Sequence, residues 1–308
     1  MSDKVHICEV GPRDGLQMVA SVVPTDLKLR WIRELLDAGL PEVEAGSFVP
    51  AKLVPQMADT QAVITSLAQS HRSGICALAP NLKGAQLAHA AGAHAVTVPV
   101  SVSEGHSRAN TRKGTFEQVD EVARIADWVK AQERPMRVDV GCATAFGCSI
   151  DGSIAQSRVV EVAVALARAG ADSIALADTM GYGNPAQVRS IVRAVRREVG
   201  ARLDKLHLHD TMGLGLANAL AGLDEGIRSF DASLAGLGGC PFAPGASGNI
   251  VTEDLVFMLE SMGFSTGIDL RRLMSARAVL KQAIPNESLH GNVFTAGIPK
   301  TYSERMFA

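Results

Sequence analysis

Short apolar runs rich in β-branched residues recur eight times along the chain, and this repetition constrains the fold more than any single motif. They span residues 5–10, 42–46, 74–79, 95–102, 137–143, 173–177, 205–209 and 229–234. Between most of them the apolar residues take a helical spacing, as in Leu27, Trp31, Leu35 and Ala38, and several of these stretches close on glycine, as at Ala38-Gly39 and Ala169-Gly170. A strand followed by a helix, eight times over, implies a parallel sheet. Eight such units in about 240 residues imply closure into a barrel rather than an open doubly wound sheet. The expected fold is therefore α/β, a (β/α)8 TIM barrel over residues 1–267, with residues 268–308 a C-terminal helical extension packed on it. A dinucleotide-binding fold fits less well, because the glycines of Gly236-Leu237-Gly238-Gly239 lack the preceding strand, the GxGxxG turn and the later acidic residue.

Composition narrows the function. The 30 basic and 32 acidic side chains leave a formal charge of −2, so no basic surface for nucleic acid or anionic membrane is expected. Five cysteines, an odd count with no CxxC pair, argue against a disulfide framework and a structural zinc site. The regular apolar pattern begins by Val5 and no apolar run approaches the roughly 18 residues of a membrane span. A cytoplasmic protein without membrane or nucleic-acid partners is expected. A homo-oligomer, most simply a dimer, is the expected assembly.

In such a barrel the reactive groups belong at the C-terminal ends of the strands, and the polar outliers fall there. Arg13 and Asp14 follow the first run, Glu44 lies in the second, Asn81 follows the third, Ser103 to His106 the fourth and Asp178 the sixth. His207 and His209 end the seventh, and Cys240 follows the eighth. In Leu206-His207-Leu208-His209-Asp210 the two histidines are two apart, so on a strand both imidazoles face one side and can reach one cation. The same spacing also fits one hydrogen-bonded core histidine and one rim histidine. Asp14 can add a carboxylate and Asn249 a carbonyl oxygen, leaving room for water and a chelating substrate. Arg13 can hold a developing enolate or a carboxylate, or simply pair with Asp14. Cys240, on a glycine-rich loop, can exchange a proton with a carbanion or serve as a small buried hydrophobe.

The segments Val10-Gly-Pro-Arg-Asp-Gly-Leu-Gln17, Val54-Pro-Gln-Met57, Pro80-Asn-Leu-Lys-Gly84, His207-Leu-His-Asp-Thr211, Ala235-Gly-Leu-Gly-Gly-Cys-Pro241 and Gly245-Ala-Ser-Gly-Asn-Ile-Val-Thr-Glu-Asp-Leu255 together resemble the 3-hydroxy-3-methylglutaryl-CoA lyases. The likeness places the chain among metal-dependent TIM-barrel lyases and condensing synthases. It implies a divalent ion, magnesium or manganese, held by Asp14, His207, His209 and Asn249, with Arg13 steadying an enolate and Cys240 transferring a proton. It implies that Glu44 orients Arg13, that Glu253 orients the Asn249 loop, and that Asp14 or His207 takes the hydroxyl proton. The implied substrate is an acyl-CoA thioester, and Asn81, Lys83 and Arg112, with Arg108, are candidates for holding its CoA portion.

Some residues depart from the lyase pattern. Met18-Val19-Ala20 replace polar residues, Met212-Gly-Leu-Gly215 stands where Tyr-Gly-Gln-Ala is more frequent, His106 replaces an aromatic or apolar residue, and Arg112 replaces asparagine. These changes allow a related substrate such as citramalyl-CoA, which would give acetyl-CoA and pyruvate. A condensing acyltransferase is a further alternative, disfavoured by the Gly-Gly-Cys-Pro loop and the short tail.

Overall fold

The computed structural model describes residues 3–70, 74–238 and 248–302. Eight parallel strands, β1 (His6–Glu9), β2 (Glu42–Ser47), β3 (Ile75–Leu78), β4 (Ala95–Ser101), β5 (Arg137–Ala143), β6 (Ser173–Asp178), β7 (Leu203–Leu208) and β8 (Ser229–Ala232), close on themselves in sequence order, β8 pairing with β1. The outer shell consists of α1 (Thr25–Asp37), α2 (Thr60–Ser70), α3 (Leu82–Ala91), α4 (Glu104–Thr111), α5 (Thr115–Lys130), α6 (Gln156–Arg168), α7 (Pro185–Val199), α8 (Gly215–Asp224) and α9 (Thr252–Ser261). Beyond them lie α10 (Leu270–Ala283) and α11 (Asn292–Ala296), α10 packing on α1. This is the expected TIM barrel with helices after it. Among the described residues no helix is long and apolar enough to cross a membrane.

The local reasons are those of period and cap. On β4, Val96, Val98 and Val100 are fully buried against the helices, whereas Thr97 and Pro99 turn to the barrel interior. Helix α7 buries Val188, Ile191, Val192 and Val195 along one stripe. Side chains cap the helices that follow several strands: Asn81 on α3, Ser103 on α4, Asn184 on α7 and Asp269 on α10. Strands β1 and β8 both end before their apolar runs do. After Glu9 the chain enters a wide helical turn, Gly11–Gly15, and after Ala232 it enters a tight one, Leu234–Gly236. Both exits are fastened by Glu9, whose Oε1 accepts from Gly11 N (2.9 Å) and Leu234 N (2.8 Å) and whose Oε2 accepts from Thr252 Oγ1 (2.7 Å).

The barrel floor is charged rather than filled with branched aliphatics. Lys205 Nζ lies 3.1 Å from Glu42 Oε1 and 3.3 Å from Asp231 Oδ1, and Arg137 pairs with Asp139 (2.6 Å) and Glu42 (2.8 Å). Helix α10 contributes a second buried ion pair, Arg277 to Glu253, and Arg277 also donates to His290 O (2.6 Å). Glu253 accepts from Ala235 N (3.0 Å) as well. It therefore anchors the turn after β8 to α10.

Burial pushes the Glu253 carboxyl up to about 7. Its folded-state value exceeds the unfolded one, so its contribution is fully present below about 4.5 and lost as pH rises through about 7. Arg277→Met removes the cation that favours ionisation and extends that loss to higher pH. The expected cost is about 3 kcal/mol at pH 8, shrinking towards pH 5, where the carboxyl is neutral. Urea melts at the two pH values measure it.

Candidate active site

A cavity of about 510 Å³ opens at the C-terminal ends of the strands and runs down into the barrel. Arg13, Asp14, Glu44, Asn81, His106, Lys205, His207, His209 and Asp231 all line it. The turn Gly11-Pro12-Arg13-Asp14-Gly15 presents the first two. A Cβ on Gly11 would sit 2.5 Å from Glu9 Oε1, and one on Gly15 would sit 2.8 Å from Leu237 Cδ2. The glycines therefore let the turn press against β1 and the turn after β8. The Arg13 guanidinium spans two carboxylates: Nε donates to Glu44 Oε2 and Nη1 to Asp14 Oδ1, the latter at 2.6 Å.

Asp14 Oδ1 also accepts from Gln17 Nε2 (3.1 Å), while Oδ2 accepts from Asn249 Nδ2 (2.7 Å) and looks toward the imidazoles. His207 Nε2 and His209 Nε2 are 3.2 Å apart, and Asp14 Oδ2 lies 4.0 Å from the first and 3.9 Å from the second. His207 projects from β7, and His209, one residue past the strand, forms a backbone bridge with Asn249. Asp231 Oδ2 sits 3.1 Å from His207 Nδ1, which leaves Nε2 directed at the other donors.

The electrostatics follow from crowding. Burial alone would raise the Asp14 carboxyl, but Arg13, the two imidazoles and Asn249 hold it well below the usual carboxylate range. Burial disfavours charge on His207, and Asp231 outweighs it, raising that imidazole. Burial and the neighbouring His207 push His209 down to about 4. The two Nε2 atoms thus face each other across the 3.2 Å gap with opposite shifts.

Asn249 Oδ1 and His209 Nδ1 are buried without a hydrogen-bond partner among the described residues. A cation with ligand distances of about 2.0–2.2 Å spans donor pairs up to roughly 4.4 Å apart, so Asp14 Oδ2 and the two Nε2 atoms fit around one ion. Carboxylate, imidazole and amide oxygen suit a divalent metal.

Other expected site residues are placed differently. Asn81 lines the cavity, but its Oδ1 accepts from Gly84 N (3.0 Å) as the cap of α3. Lys83 is exposed on α3 and Arg112 is exposed at the end of α4, both outside the cavity lining. Arg108 pairs with Glu104 at the surface (2.8 Å). Asp178 points into its own loop, accepting from Tyr182 N and Gly183 N (3.0 Å each). Of the departures from the lyase pattern, Met18 and His106 line the cavity and Arg112 does not. Cys240 lies outside the described residues. Asp231 and Lys205 were not anticipated from sequence. The signal was the period of two in Lys205, His207, His209 and in Ser229, Asp231, Ser233, which puts every one of these polar side chains on the same side as the histidines.

A family model described as HMGL-like matches residues 4–280. A mitochondrial hydroxymethylglutaryl-CoA lyase of Mus musculus is 43% identical over 281 residues, 91% of this chain and 86% of its own. A cytoplasmic 3-hydroxy-3-methylglutaryl-CoA lyase of Rattus norvegicus is 39% identical over 96% of this chain and 85% of its own. The solved structure of the Bacillus subtilis HMG-CoA lyase superposes with a TM-score of 0.91 at 35% identity, covering 96% of this chain and 98% of that one.

A titration with Mn2+ checks the donor set. At one hundred times Kd the ion should stabilise the wild-type chain by about 2.7 kcal/mol. Asp14→Asn keeps the volume but removes the charge, and should weaken Mn2+ binding at least ~10-fold, read by calorimetry and thermal melting. Equal affinity in the two proteins would rule Asp14 out as a ligand.

Proposed function

The chain belongs to the HMGL-like family, and on that premise we propose that it is a hydroxymethylglutaryl-CoA lyase, cleaving 3-hydroxy-3-methylglutaryl-CoA to acetyl-CoA and acetoacetate. The observation that carries this reading is the convergence of Asp14, His207 and His209 on one point with the Arg13 guanidinium alongside, inside one cavity. A divalent ion, magnesium or manganese, held by Asp14, His207, His209 and Asn249 would supply Lewis acidity toward the substrate's tertiary hydroxyl and an adjacent oxygen.

The protein's own residues do the rest. Glu44 fixes Arg13 through Nε, so the guanidinium edge presented to the cavity is held in one orientation before substrate arrives. Asp231 fixes the His207 ring through Nδ1. The substrate hydroxyl gives its proton to the Asp14 carboxylate, whose Oδ1 lies outside the proposed donor set. The oxygen electron pair forms the new ketone as the C–C bond breaks, and the electrons of that bond pass to the carbon next to the thioester. Arg13 donates to the oxygen of the resulting enolate, where a planar two-pronged cation outperforms a point charge. The Cys240 thiol returns a proton to the enolate carbon, giving acetyl-CoA.

Incubated with Mg2+ or Mn2+, the purified protein should convert 3-hydroxy-3-methylglutaryl-CoA to equal amounts of acetyl-CoA and acetoacetate. A citramalyl-CoA arm reads whether Met18 and His106 shift the acyl preference. Arg13→Met should lower kcat about 10²- to 10³-fold, the loss typical of one oxyanion donor, and Cys240→Ala should abolish proton return. Full activity in either variant would remove that residue from the mechanism.

A further inference from the structure

Between the start of α3 and the start of α5 the cavity wall carries polar side chains that the cleavage chemistry does not use, among them Asn81, His106, Lys113 and Gln118. Gln118, in the first turn of α5, is 1% exposed, and neither its Nε2 nor its Oε1 has a hydrogen-bond partner among the described residues. An unsatisfied buried polar group is costly; the other buried polar residues of α5, Thr115 and Glu121, both have hydrogen-bond partners, and the rest are apolar, such as Val119, Val122 and Ile125. Leucine or methionine would fill the position more cheaply for folding alone.

The surroundings define what the carboxamide can receive. Lys113 Nζ is paired with Glu121 Oε2 (2.8 Å), and Arg124 shares that oxygen (2.5 Å). His106 Nδ1 is hydrogen-bonded to Ser101 Oγ (2.7 Å). This stretch of wall therefore offers hydrogen-bonding groups without an uncompensated positive charge, which suits neither a phosphate nor a carboxylate. The matching ligand is neutral and carries a donor and an acceptor side by side.

We propose that Gln118 is a binding residue for a secondary amide of the pantetheine arm of the CoA thioester, its Oε1 accepting the amide N–H and its Nε2 donating to the amide C=O. This rests on the acyl-CoA lyase reading. In such a substrate the acyl carboxylate and thioester oxygen belong with the cation site and Arg13, the phosphates are charged, and the arm is the neutral polar segment that leads out of the cavity.

Gln118→Met tests it, because the variant keeps the side-chain length and removes both polar atoms. Three changes are expected together. Ligand-free thermal unfolding should occur at the wild-type midpoint or above it, since an unpaired buried amide has gone. Binding of pantetheine and of CoA, read by calorimetry, should weaken about tenfold. KM for 3-hydroxy-3-methylglutaryl-CoA should rise by a similar factor with kcat within about twofold, while kcat/KM for the S-ethyl thioester of the same acid, which has no amide, should stay unchanged. A lowered melting point would make Gln118 a structural residue and overturn the proposal. So would unchanged affinity for pantetheine, or an equal loss on the S-ethyl thioester, which would move the contact to the acyl end. Failure of the lyase reading would appear separately, as a wild-type protein that cleaves neither thioester, and the pantetheine affinities would still decide the role of Gln118.

Discussion

The guanidinium of Arg13, buried between Glu44 and Asp14, is the interaction on which the site depends. Taking these three charges out of water is costly, and the two carboxylates are tolerable only because they share the one guanidinium. Asp14 has Gln17 and Asn249 in addition. The consequence is positional. Arg13 and Asp14 come from the turn after β1 and Glu44 from β2, so the ion set ties two strand ends together and aims Asp14 Oδ2 at the histidines of β7, across the barrel mouth. Glu9 performs a parallel task one layer below, fastening the turns after β1 and β8 through three donors. Burial pushes that carboxyl up to about 8, so the fastening works against desolvation and persists because its donors have no better acceptor.

Below the site the barrel departs from the usual layers of branched aliphatics. Lys205 stands where such a layer would be, held by Glu42 and Asp231, and Asp231 in turn holds His207. A line of polar contacts thus runs from the floor to the mouth. Gly141 on β5 lines the cavity and leaves open space, since a Cβ there would meet nothing within 4 Å. The cavity reaches into the barrel because the charged floor and the small wall go together.

Much of this was legible in the sequence. The eight runs became eight strands because a parallel strand covered by helices outside and packed inside the barrel is buried on both faces, as β2 and β6 are at every residue, and so reads as a run. Arg13, Asp14, His207, His209 and Asn249 meet because each sits near or beyond the C-terminal end of a strand, or on the loop that bridges to one, and Glu44, midway along β2, lines the same cavity. Charge alone was a poorer guide. Lys83 and Arg112 carry the right sign for phosphates, but helix position turns them to solvent. Asn81, a candidate for the CoA portion, lines the cavity, and its position just before α3 makes its side chain the cap of that helix. Asp178 followed a strand as expected, and the glycine-containing turn after it supplies backbone N–H groups that capture its carboxylate. Asp231 escaped notice because a lone acidic residue within an apolar run gives no indication of which neighbour will neutralise it. That partner, His207, is 24 positions away in the chain.

Charge accounting links floor and mouth. Asp14, Glu44, Asp231, Glu42 and Asp139 are five carboxyl groups gathered around three permanent cations, Arg13, Lys205 and Arg137. The excess is two negative charges, in a region where the effective dielectric is low and uncompensated charge is expensive. The crowding shows in the titration: burial disfavours charge on His207 but Asp231 outweighs it and raises that imidazole, and burial with the nearby Asp231 raises Glu44. A divalent cation held, as proposed, by Asp14, His207 and His209 would bring two positive charges into this region. On that proposal, the same five carboxyl groups that make the barrel interior costly to fold favour a doubly charged ion over a singly charged one at its mouth.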